Sequence, residues 1–77
     1  MEVKLERFSI KKERKNCYIA VDHMKKKYKI LKNEYSKKFS IGDDTYMHYT
    51  IVKCGMFSTV IDPISHEEYL TMIQKVS

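Results

Sequence analysis

Glycine occurs twice, proline once and tryptophan not at all in 77 residues. Breakers this sparse exclude a low-complexity linker or disordered tail, and a hydrophobic content of 43% suffices for one packed core. Cysteine is scarce too. Cys17 and Cys54 can form at most one bridge, which excludes the disulfide-dense scaffolds of small secreted proteins and leaves two reduced thiols as the expectation. No apolar run approaches the roughly 20 residues that span a bilayer, and the opening stretch MEVKLERFSI lacks the charged-then-apolar layout of a signal peptide. A cytoplasmic protein without membrane insertion is expected. Arginine is nearly missing, 2 against 13 lysines. Guanidinium forks are the usual bidentate readers of guanine, so any nucleic-acid binding should be largely blind to sequence.

Catalytic and metal-binding patterns are also lacking. Cys17 and His23, then His48 and Cys54, suggest a four-ligand zinc set, but residues 48 and 54 on one strand would stand ~20 Å apart, far beyond the reach of one ion. Gly42-Asp43-Asp44 reads as a turn, not as a magnesium-holding carboxylate pair. His23, His48 and His66 are scattered over different elements, and no nucleophile has a base near it in sequence. The expectation is no enzyme, no metal and no cofactor.

Positive charge, by contrast, is abundant and uneven. The net charge is +5; residues 1–38 hold 13 basic and 5 acidic side chains, a net +8, while residues 39–77 carry a net −3. A half so charged attracts polyanions or an acidic protein surface.

Residues 1–77 should form one small α+β domain. The alternation Val3, Leu5, then Phe8, Ile10 predicts a strand with a bulge near Arg7; KKERKN, residues 11–16, a connection; and CYIAV, residues 17–21, a second strand. Over 22–39, Met24, Tyr28, Leu31, Tyr35 and Phe39 recur at spacings 4, 3, 4, 4, which predicts a helix capped by Asp22, with its lysines and Ile30 in solvent. Residues 46–53 and 56–61 read as a central, covered hairpin broken by Asp62-Pro63. Ser65 and Glu68 stand at capping-box spacing for a last helix over 65–76, with Tyr69, Met72, Ile73 and Val76 inward. The resulting order is ββαββα: an antiparallel sheet of about four strands with two helices on one face. The alternative is a long amino-terminal helix over 13–39 followed by a hairpin and a short helix.

The expected function is a non-catalytic binding protein whose basic half engages nucleic acid through Lys11, Lys12, Arg14, Lys15, Lys25, Lys26, Lys29 and Lys32, with Tyr46, Tyr49 and Phe57 as candidate base-stacking residues. The alternative partner is an acidic host protein, bound by a small regulator of the phage or mobile-element kind, with Ile30 as the apolar anchor amid the lysines. A homodimer is compatible with either.

Overall fold

Residues 27–31, KYKIL, alternate between solvent and interior: Tyr28 and Ile30 are buried while Lys27 and Lys29 are exposed. That is the two-residue period of a strand, not the 3.6-residue period of a helix. The segment pairs antiparallel with Cys17–Val21, Tyr18 opposite Ile30 and Ala20 opposite Tyr28. The helix expected over 22–39 is therefore absent, and the longer alternative over 13–39 with it. Residues 22–26 form a loop, and the helical geometry within 22–39 is one 3₁₀ turn at Ser36–Lys38. A lone helix of that length is marginal in water, whereas pairing on both sides gives the backbone of residues 28–30 partners along each edge.

The structure, a computed structural model, describes residues 2–76, with side chains over 2–74. Its strands are β1 (Lys4–Glu13), β2 (Cys17–Val21), β3 (Lys27–Leu31), β4 (Asp44–Cys54) and β5 (Thr59–Ile64), followed by helix α1 (His66–Val76). They close into a barrel in the order β1-β2-β3-β5-β4, β4 returning to pair with β1. Every neighbouring pair is antiparallel except β3 and β5. The architecture is thus a five-stranded closed barrel with one helix outside it, which corrects the expected sheet with two helices on one face.

Inward side chains fill the barrel, as in other small closed sheets. Phe8 meets the rings of Tyr28 and Tyr49 edge-on, at centroid distances of 4.9 and 5.4 Å. Ile10, Ile30 and Ile61 are fully buried around them. Tyr35 and Phe39, flanking the 3₁₀ turn, pack against this core, and the Tyr18 hydroxyl donates to the Lys37 carbonyl at 3.0 Å.

That end is held by Asn33. Its Oδ1 accepts from the N–H groups of Tyr35 and Ser36, both at 2.9 Å, while its Nδ2 donates to Asp62 Oδ1 at 3.0 Å and to the Pro63 carbonyl at 2.7 Å. One amide side chain therefore ties the segment after β3 to the end of β5.

Several boundaries move. The bulge expected near Arg7 lies between Ile10 and Lys12. The last strand is Thr59–Ile64, not 56–61, and contains Asp62-Pro63 instead of ending there. Pairing with β3 stops at Ile61, so Pro63 lies where β5 has one neighbour, the kind of edge position proline tolerates. The hairpin is not covered on both sides, since Ile51 and Val52 are exposed beside a register shift. Helix α1 begins as expected, with Ser65 Oγ accepting from the Glu68 N–H at 3.2 Å. It leans on β4 through Tyr69, whose ring stacks on His48 at 3.9 Å and 9°. Tyr69 and Met72 are half-buried, Ile73 is exposed, and the side chain of Val76 lies outside the described residues. Met24, expected inside, is exposed. No helix among the described residues is long and apolar enough to cross a membrane.

The enclosed tyrosines give the fold an alkaline limit. Burial pushes the Tyr28 phenol from its usual 10.0 up to about 12, and it raises Tyr18, Tyr35 and Tyr49 as well. The unfolded chain releases these protons first, so stability is complete below pH 10 and falls as the pH rises from there toward 12. Urea midpoints across that window should decline, and Tyr28→Phe should lessen the decline.

Candidate polyanion-binding face

The bulge in β1 turns Lys12 outward, opposite Ile19 of β2; Ile19 stands opposite Lys29 of β3, Lys29 beside Val60 of β5, and Val60 opposite Lys53 of β4. Cross-strand partners share a face, so Lys12, Lys29 and Lys53 form a belt around the outside, separated by two β-branched side chains. Strands lie ~4.8 Å apart, which puts successive lysines of the belt about 10 Å from each other. Physiological salt screens repulsion over about 8 Å, so the ammonium groups can stand together while still acting jointly on a polyanion.

Loops extend the belt in two directions. Lys11 sits in the bulge of β1, and Arg14 and Lys15 lie in the connection from β1 to β2, all exposed. At the opposite end of β2, Asp22 accepts from the N–H groups of Met24 and Lys26, both at 2.9 Å, and shapes a tight loop. Lys25 within it has φ +64°, a left-handed conformation that suits glycine or asparagine better than a long side chain. A cation thus occupies the position where the backbone would prefer none. Lys27 follows on the outer face of β3.

The expected residues do not all converge. Lys11, Lys12, Arg14, Lys15, Lys25, Lys26 and Lys29 are exposed on this wall and its two ends. Lys32 is engaged elsewhere, bound to Glu13 at 2.8 Å and lying over the Tyr18 ring at 5.0 Å. Ile30 is fully buried, so it is a core residue and not a surface anchor. Tyr49 is 3% exposed inside the aromatic cluster and cannot stack on a base. Tyr46 is exposed on the far side of β1, beneath the Arg7 guanidinium at 5.9 Å. Arg7 is itself tied to Asp44, Nε donating to Oδ1 at 2.8 Å, which holds the Asp44 carboxyl below and the Arg7 guanidinium above their ordinary ranges. Phe57 is 87% exposed at the β4–β5 turn, beside Met56 at 91%.

Sequence reasoning missed Ile19, Lys27 and Lys53 as members of this surface. The alternation Lys-Tyr-Lys-Ile at 27–30 held the signal for Lys27; Lys53 reaches the belt only through the β4–β5 register. An open groove of about 680 Å³ has a rim that includes Glu34, Asp62, Glu67 and Glu68 together with Lys38.

No protein-family model, curated protein or solved structure matches the chain.

Proposed function

We propose that this protein is a small non-catalytic nucleic-acid-binding module that holds the phosphate backbone along the β1–β2–β3 wall. What carries the reading is Lys12 and Lys29 on that wall, continued by Arg14 and Lys15 at one end and by Lys25, Lys26 and Lys27 at the other, with Lys53 farther round the barrel on β4. Phosphate contacts by lysine carry affinity without base information, in keeping with the near absence of arginine. Five-stranded Greek-key barrels of the OB type bind oligonucleotides across strands two and three. That is an analogy of architecture; the support for this chain is where its own cations stand. Docking on an acidic protein is the weaker reading, because its anchor Ile30 lies in the core.

Oligonucleotide binding measured across a salt series tests the proposal. With about four phosphate contacts, log K against log salt should fall with a slope of roughly −3, and Lys29→Ala should flatten it by about 0.7 to 0.9. Lys37→Ala, which removes an ammonium already paired with Glu34 at 2.8 Å, should leave the slope unchanged. Undetectable binding at low salt would end the reading.

A further inference from the structure

We propose that the polyanion is single-stranded and that Phe57 is where an unpaired base stacks; this rests on the reading of the lysine belt above. The β4–β5 turn is tightly made. The Gly55 N–H donates to the Ser58 carbonyl at 2.9 Å, and a Cβ on Gly55 would come within 2.5 Å of that oxygen. Neither residue at its centre has a positive φ, so the turn itself sets no demand for Asn, Asp or Gly there. Here the two central residues are Met56 and Phe57, both almost wholly in solvent. The fold has no use for them, since neither belongs to the core.

A second loop repeats the pattern. Because β3 and β5 run parallel with Tyr28 beside Thr59, the loop 22–26 and the turn 55–58 leave the barrel at the same end. That loop exposes Met24, next to Lys25 and Lys26. One end of the barrel therefore carries one phenyl ring and two thioethers beside the lysines that close the belt. A duplex hides the faces of its bases within the stack and offers such side chains nothing. An unpaired base offers a π-face while its phosphate reaches the neighbouring ammonium groups.

An anionic membrane would also suit apolar tips among lysines, but a planar surface entered by the tips calls for cations gathered at that end. These cations run on down the wall for about 16 Å, the length of β2, to Arg14 and Lys15. That is a track for a linear polymer, long enough with its loops for about four nucleotides, the lower bound for a barrel of this size.

Three probes decide the matter at one salt concentration: a 12-nucleotide oligothymidine, a duplex of equal length, and vesicles containing phosphatidylserine. The single strand should bind at least tenfold more tightly than the duplex. Phe57→Ala should weaken the single strand roughly 5- to 100-fold, leave duplex binding and the salt slope unchanged, and keep the melting temperature. The chain has no tryptophan, so Phe57→Trp supplies one emission, which the single strand should quench while affinity is kept. If the single strand binds with the expected salt slope but Phe57→Ala changes nothing, or lowers both nucleic acids equally, the stacking site is overturned and the belt stands. If neither nucleic acid binds while vesicles do, both are overturned.

Discussion

Ile30→Ala is expected to lower the unfolding free energy by ~2–5 kcal/mol. The side chain is fully buried at the centre of the barrel, opposite Tyr18 on β2 and beside Ile61 on β5, so three strands lose a contact and the void has little room to collapse. A domain of 77 residues holds on the order of 4–12 kcal/mol in total. A loss that large should shift the urea midpoint strongly and leave part of the population unfolded at 37 °C. Leu31→Ala, at a half-buried position one residue on, should cost clearly less. A reversed order of the two midpoints would mean that the segment is not the strand described.

The second large effect is expected at Asn33, where one side chain makes four hydrogen bonds. Asn33→Ala strands the N–H groups of Tyr35 and Ser36 and the Pro63 carbonyl in a partly buried setting, which should cost ~2–4 kcal/mol. Asn33→Asp separates the two halves of that role. It keeps the acceptor for Tyr35 and Ser36 but sets an oxygen against Asp62 Oδ1 and the Pro63 carbonyl. At neutral pH the two carboxylates repel, so Asn33→Asp should be at least as damaging as Asn33→Ala; below about pH 4, where carboxyl groups take up a proton, its stability should recover relative to the alanine variant. A pH-independent gap between the two would show that the donor half of the amide contributes nothing.

Much of the strand content was legible, and the central error has a definite cause. β2 matches residue for residue because CYIAV is β-branched and aromatic with no competing period. α1 was legible from Ser65 and Glu68, whose capping contact is present. Residues 22–39 satisfy two periods at once. Tyr28, Leu31 and Tyr35 fit a helix, while Lys27, Tyr28, Lys29 and Ile30 alternate as a strand. The helical reading left Ile30 stranded among lysines, and that misfit was the clue, because pairing with β2 and β5 decides the matter through contacts no local window contains. Asp22 has the chemistry of a helix cap and does bind backbone N–H groups, but those of a loop. At the candidate site the cations of residues 11–29 could be read from charge alone. Their alignment with Lys53 could not, since it depends on two bulges and one parallel pairing.

The pairing of β1 with β4 joins Lys4 to Tyr49 and Ser9 to Asp44 across more than a third of the chain. Contacts so remote in sequence make for slow folding, because loop entropy must be lost before the barrel closes. Until β4 arrives, β1 is an open edge carrying Phe8 and Ile10, the sort of segment that recruits other unfolded copies. Lys4, Arg7, Lys11 and Lys12 flank or interrupt that segment. Like charges so placed keep such edges from pairing with each other. The cations of the amino-terminal half therefore guard against aggregation before the barrel closes, and replacing them should lower the yield of soluble protein on refolding.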